Sequence, residues 1–118
     1  MDCCFKEDKD LCIEYSEELY NLINKKYTYS ILAILDKYGK LRFNEILRKI
    51  DGLNQRMLSI RLKEMENAKL VKREVETEEP IKVYYSITKE GKAVKNAIQI
   101  LISIINLMDT KNRNAKLC

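Results

Sequence analysis

The chain has no histidine and no tryptophan, one proline (Pro80), three glycines and two phenylalanines in 118 residues. Each shortage removes a class of protein. Without histidine, the usual acid-base side chain and the usual neutral metal ligand are missing. Three scattered glycines cannot form a phosphate-cradling loop, and the carboxylates are spread over predicted helix surfaces. With no acid, base or nucleophile positioned for catalysis, an enzyme is not expected. Low proline and glycine also set the chain apart from disordered and fibrous classes. No apolar run approaches the roughly 18 residues that span a membrane, and residues 1–10 are acidic where a secretory leader would be basic and then apolar. The expected location is the cytoplasm, with no membrane partner. There the four cysteines, Cys3, Cys4, Cys12 and Cys118, are reduced thiols by default. Cys3-Cys4 with Cys12 matches no common zinc-ligand spacing, so neither metal nor cofactor is called for.

What remains is 46% hydrophobic and 34% charged, the profile of one compact, mostly helical domain. Charge is distributed unevenly. The first twenty residues carry seven acids (Asp2, Glu7, Asp8, Asp10, Glu14, Glu17 and Glu18) against Lys6 and Lys9, whereas residues 21–73 carry thirteen Lys and Arg against five acids. A polyanion is the natural partner of such a basic block, and a solvated lysine-rich surface is the plain alternative.

Apolar spacing divides that block into helices. Tyr15, Leu19, Leu22 and Ile23 follow i, i+4, i+7, i+8 and predict a first helix. A second runs over 28–38 with Ile31, Leu32, Ile34 and Leu35 inward and ends at Gly39. After the extended "KLRF" of residues 40–43, Phe43, Ile46, Leu47 and Ile50 predict a third, closed by the Asp51-Gly52 turn. A fourth begins at the N-cap Asn54, with Leu58, Leu62 and Met65 as its inner stripe. At about 100° per residue, Arg56, Ser59, Ile60 and Lys63 then point outward, with Asn54 and Gln55 at the exposed end. Those side chains suit base edges in a major groove: arginine for guanine, asparagine or glutamine for adenine, isoleucine for a thymine methyl. Any amphipathic helix has polar residues outside, so the pattern needs its context. That context is a hairpin: Val71, Arg73 and Val75 alternate with Lys72, Glu74 and Glu76, and Ile81, Val83, Tyr85 and Ile87 alternate with Lys82, Tyr84 and Ser86. Two short helices around a tight turn, then a hairpin, form a winged helix-turn-helix.

The run resembles the HxlR-type winged helix-turn-helix transcriptional regulators, relatives of the MarR group. The matching residues are Arg42-Phe43, Glu45-Ile46-Leu47, Ile50, Gly52-Leu53, Met57-Leu58, Arg61-Leu62, Glu64-Met65, Leu70-Val71, Arg73, Pro80, Val83, Tyr85, Ile87-Thr88 and Gly91. The resemblance implies a dimer, a recognition helix over about 54–67, and a wing tip at residues 77–80. It also implies a sensing cysteine close to Cys12, although Ile13 stands where proline usually follows. Tyr27 replaces an early tryptophan, and Lys69 replaces a glycine, which costs about 1 kcal/mol if the backbone there is left-handed. Glu74, Glu76, Glu78 and Glu79 make the wing acidic, so Lys72, Arg73 and Lys82 near its base, with Arg42, are the expected backbone contacts.

Thr88 predicts the start of a last helix reaching about Met108. Between Ala97 and Met108 only Gln99, Ser103 and Asn106 are polar, and all three share one stripe. So much apolar surface predicts a symmetric dimer built from this helix and helix one of the partner, the alternative being a deep monomer core. In such a dimer Cys118 of one chain can approach Cys3, Cys4 or Cys12 of the other; scattered unremarkable thiols are the alternative. The expected protein is therefore α+β and mostly α: an N-terminal arm and helix (1–26), a winged core of three helices and a two-stranded wing (27–87), and a C-terminal dimerisation helix (88–110). Its expected function is sequence-specific regulation of transcription on double-stranded DNA, as a homodimeric repressor on an inverted repeat. A winged-helix protein adaptor and a nonspecific DNA binder are the alternatives, and any small-molecule or redox effector is left open.

Overall fold

The apolar spacings resolve into helices and short strands across residues 4–108, the part of the chain that the computed structural model describes. In chain order these are α1 (Glu17–Ile23), α2 (Thr28–Tyr38), β1 (Lys40–Leu41), α3 (Phe43–Lys49), α4 (Gln55–Asn67), β2 (Val71–Glu76), β3 (Lys82–Ile87) and α5 (Lys89–Met108), with a 3₁₀ turn at Lys9–Leu11 before them. None of these helices is long and apolar enough to cross a membrane.

Local hydrogen bonds decide where most of them start and stop. Ser16 Oγ accepts the Leu19 N–H at 3.2 Å, so α1 begins two residues later than its apolar spacing suggests. Tyr15 is left outside the helix, exposed, with its ring edge-on to Tyr20 at 5.4 Å. The Thr28 hydroxyl donates to the Leu22 carbonyl at 2.8 Å in the buried joint between α1 and α2. Thr88 Oγ1 accepts the Gly91 N–H at 2.9 Å and opens α5 as expected. The end of α4 is a Schellman motif: Leu70 N–H donates to Met65 C=O (2.9 Å) and Lys69 N–H to Glu66 C=O (3.0 Å), with Met65 and Leu70 both buried. That motif puts Lys69 at φ +63°, so the lysine does occupy the left-handed position where glycine is preferred.

The core is the meeting of α2, α3 and α4. Ile31, Leu32, Leu35, Ile46, Leu58 and Met65 have no exposed surface, and Leu62 and Leu70 have 2%. Ile34, Phe43 and Leu47, expected inside, are partly buried at its margin.

The wing hairpin pairs from Val71↔Ile87 to Glu76↔Lys82. A third strand joins it, because β1 pairs with β3 (Lys40↔Ser86, Leu41↔Tyr85), giving the antiparallel order β1-β3-β2. Ile81, expected to open the second wing strand, lies just outside it and is 67% exposed. Where α5 leaves the sheet, a Cβ on Gly91 would sit 2.1 Å from the Leu70 carbonyl oxygen, so this close crossing requires glycine. The first half of α5 is clamped to α2 by Asp36, which accepts ion pairs from Lys95 (2.9 Å) and Lys92 (3.4 Å). Lys95 above all holds the Asp36 carboxyl below its ordinary value. The second half runs off the core: Ile100, Leu101, Ile104, Ile105, Leu107 and Met108 are between 48% and 81% exposed.

Replacing Lys69 by glycine removes the cost of a left-handed Cβ, so K69G should gain about 0.5–1 kcal/mol, read as a raised urea midpoint with unchanged slope.

Candidate nucleic-acid interface

At 13 residues, α4 is about 20 Å long. Its stripe of Leu58, Leu62 and Met65 is buried as the spacing requires. The opposite face carries Arg56, Ser59, Ile60 and Lys63, all exposed, with Ile60 at 45%. A single exposed apolar side chain is common on protein surfaces; Ile60 bears on the site only through its place among polar donors on one face. Among the described residues, Arg56, Ser59 and Lys63 make no ion pair or side-chain hydrogen bond, so their donors are available to a ligand. Gln55 is exposed at the same end. Asn54 differs: its Oδ1 accepts the Met57 N–H at 2.8 Å, which commits the acceptor to capping and leaves the amide nitrogen alone for reading.

The helix before the turn adds cations. Arg42 precedes α3: its backbone N–H donates to Glu45 Oε1 at 3.0 Å, and the residue is exposed. Arg48, one α3 length further on, lines the same cleft of about 450 Å³ with Phe43, Asn44, Ile81 and Val83. Sequence reasoning did not select Arg48; its signal is the outward position opposite Ile46 and Leu47 on the same wheel.

The wing-base cations separate by face. Lys72 and Lys82 share the outer face of the sheet with Glu74 and Glu76, while Arg73 is opposite Tyr85 on the face of Val71 and Ile87. Lys72 is already near Glu74 (3.7 Å), and Lys40 is closer still (2.9 Å) with its ammonium over the Tyr84 ring. That hydrogen bond lowers the Glu74 carboxyl and raises the Lys40 ammonium from their ordinary values. The three cations therefore form no single patch. Glu76, Glu78 and Glu79 are exposed toward the tip.

Two further residues, Arg61 and Glu64, lie behind this face and brace it. Arg61, on the inner side of α4, is only 6% exposed. Its Nε donates to the Lys26 carbonyl (3.2 Å), Nη1 to Glu64 Oε1 (2.7 Å) and Nη2 to Met57 Sδ (3.3 Å). Glu64 Oε2 also takes the Lys25 ammonium at 2.6 Å, and Lys25 chiefly lowers the Glu64 carboxyl.

Cys12, expected as a thiol, is half-buried and disulfide-bonded. Cys4 is an exposed free thiol. Cys3 and Cys118, and with them the expected approach of Cys118 to Cys12, lie outside the described residues. Among the described residues no His/Cys/Asp/Glu group could hold a metal ion.

The model of HxlR-like helix-turn-helix domains matches residues 22–113, from the last turn of α1 through α5. The chain belongs to the HxlR family. It is thus a transcriptional regulator with a helix-turn-helix DNA-binding domain, and its family relatives are regulators, not enzymes. It is 43% identical over 88 residues to an HTH-type transcriptional regulator of Methanothermobacter thermautotrophicus, covering 75% of this chain and 65% of that protein, so less than two thirds of that relative's length is matched. It is 37% identical over 83 residues to the regulator YodB of Bacillus subtilis, covering 70% and 73%. The structure of reduced YodB superposes with a TM-score of 0.71 over 81% of this chain and 93% of that one, at 32% identity. The redox regulator HypR in its reduced form gives 0.67 over 80% and 92%, at 30% identity.

Asn54 can be tested as a cap apart from any DNA role: N54A should cost about 1 kcal/mol in chemical denaturation, while N54D, which keeps the acceptor, should cost little. Equal stability of both variants would remove the capping assignment.

Proposed function

We propose that the protein is a homodimer that binds an inverted-repeat site in double-stranded DNA, lays α4 in the major groove, and represses transcription from that site in the cytoplasm. The observation that carries this reading is the exposed, uncommitted face of Arg56, Ser59, Ile60 and Lys63 opposite a fully buried stripe on one helix. With Gln55 and the Asn54 amide at its entering end, that face has donors for guanine and adenine edges and an apolar contact for a thymine methyl. Arg42 and Arg48 on α3 suit the phosphates beside the groove, with Arg73, Lys72 and Lys82 further out on the wing.

The dimer is supported by the second half of α5, whose isoleucines and leucines form an exposed patch that no other described residue covers. Tyr20 on α1, 57% exposed, offers apolar surface on the other helix expected in the dimer. A two-fold pair would offer two reading helices about 34 Å apart, one turn of DNA. The acidic tip, with Glu76, Glu78 and Glu79 exposed, favours a second reading in which the wing meets a basic protein and the domain acts as an adaptor.

Relatives captured in reduced and in diamide-treated or oxidised forms support a redox role for the Cys12 region; because Cys12 is already disulfide-bonded within the single chain, a bond to Cys118 across the dimer requires that bond to be reduced or exchanged first.

Fluorescence anisotropy on a labelled duplex from immediately upstream of the gene, with excess unrelated DNA, tests the DNA reading. Affinity should survive the competitor and fall steeply with salt; K63A should reduce the salt slope by about one, and R56A should relax sequence preference by about 1–3 kcal/mol at one base pair. Identical affinity for every duplex would instead favour the adaptor or a nonspecific binder. Assembly has its own test: sedimentation of the reduced protein at micromolar concentration should give twice the 13.9 kDa chain mass, and diamide should yield a crosslinked dimer that dithiothreitol reverses. A monomeric mass would overturn the two-fold model, and an uncrosslinked oxidised protein would remove the cysteines from it.

A further inference from the structure

Arginine in a helix-turn-helix is normally sought on the DNA side, yet Arg61 is turned the other way. It lies beside Leu58 and Leu62 on the buried side of α4, with 6% of its surface exposed. A methionine or leucine of similar volume would fill that space without taking a charge out of water. What an apolar side chain cannot supply is direction. Packing of Leu58, Leu62 and Met65 resists exposure of the stripe, but it tolerates small sliding and tilting because hydrophobic contact has no preferred angle.

The guanidinium supplies that direction toward one place, the turn between α1 and α2. Nε reaches the Lys26 carbonyl, and Nη1 fixes Glu64, whose other oxygen holds the Lys25 ammonium. The next residue of the same turn reaches α4 from its other end: the Tyr27 hydroxyl donates to the Gly52 carbonyl at 3.1 Å, two residues before the Asn54 cap. Residues 25–27 thus hold α4 at its entry and at its middle. The turn itself is firm. Lys25 N–H bonds the Leu22 carbonyl, Thr28 N–H the Lys25 carbonyl, and the buried Thr28 hydroxyl the Leu22 carbonyl again.

We propose that Arg61 is a positioning residue for DNA recognition: by tying α4 to the end of α1 it fixes the reading helix relative to the dimerisation helices, and so sets the half-site spacing the dimer accepts. The proposal rests on the reading of α4 and of the dimer given above. Arg61 itself touches no DNA. The fork geometry matters, because lysine can replace its charge but cannot make the Lys26 and Glu64 bonds together.

The test uses the full-length wild type and its R61K, R61M and R56A variants. The duplexes carry an inverted repeat selected from a random pool with the wild type, its spacer lengthened or shortened by one and two base pairs, together with a single half-site. One base pair moves a half-site by about 3.4 Å and turns it by about 35°. Wild type should prefer the selected spacing by about tenfold, the order of one mismatched base pair. R61M should remain folded by thermal melting and keep half-site affinity within about twofold while its spacing preference falls below about threefold, and R61K should lie between. R56A should lose base preference and keep the wild-type spacing profile. A wild-type spacing profile in R61M would overturn the proposal, as would a loss of half-site affinity matching its loss on the full repeat. A wild type indifferent to spacing would overturn it through the dimer reading, and an R56A that reads bases as wild type does would overturn it through the α4 reading.

Discussion

The contact on which the rest depends is the burial of Leu58, Leu62 and Met65 against α2 and α3. All three have 2% exposure or less, as do Ile31, Leu32, Leu35 and Ile46 that receive them. Burying each such side chain is worth about 1.5–3 kcal/mol, so the roll of α4 about its own axis is settled by a sum much larger than any single surface interaction. Rotating the helix far enough to cover Ile60 would bring Leu58 or Leu62 into water. The exposed face is therefore a consequence of the buried one. Roll is only one degree of freedom, however, and the others are set by polar bonds at both ends and in the middle: the Asn54 cap, the Tyr27–Gly52 and Arg61–Lys26 bonds, and the Schellman turn into β2.

Features whose cause is local in the chain were legible before the structure. As caps, Asn54, Thr88 and Gly39 act within four residues of themselves, although the Thr88 hydroxyl also reaches the Lys69 and Leu70 carbonyls; the helix and strand periods average over several positions, so α2, α4, the hairpin and α5 fall where spacing puts them. Other features depend on partners far along the chain. The i+3 position after Leu58 turns Arg61 inward, but the Lys26 carbonyl that receives it is 35 residues away and has no local signal. The extended "KLRF" was legible, but the two-residue β1 within it carries no sign that it pairs with β3. The wing-base cations were identified as a group from charge alone, but the pleat sends Arg73 to the face opposite Lys72 and Lys82. Glu74 pairs with Lys40 from a strand whose pairing the spacing did not resolve.

That pairing changes what the acidic wing means. Four glutamates in or beside the hairpin suggest a uniformly repelling element, yet Glu74 lies between Lys40 and Lys72, and Glu76 is across from Lys82. At the base of the wing Glu74 is offset by Lys40 and Lys72, and the uncompensated acid is Glu76, Glu78 and Glu79 toward the tip. Exposed charges act strongly only within about 8 Å at physiological salt, so those residues matter to a phosphate backbone only if the tip approaches it.

On the proposed reading, attraction to DNA is then concentrated on α3 and α4, where Arg42, Arg48, Arg56 and Lys63 meet no acid of comparable closeness. With Lys72 beside Glu74 and an acidic tip, the wing is a weak second anchor for squaring the domain on the duplex. Orientation then depends more on the inside of the protein, on whatever joins the reading helix to the part that pairs with a second copy. In this chain that joint is three consecutive residues, Lys25, Lys26 and Tyr27, each bonded to α4 or the turn before it, and the one buried charge among their partners is Arg61. A weakly anchoring wing and a charged, directional joint are thus two sides of one arrangement: what the outer element gives up in grip, the inner one supplies as geometry.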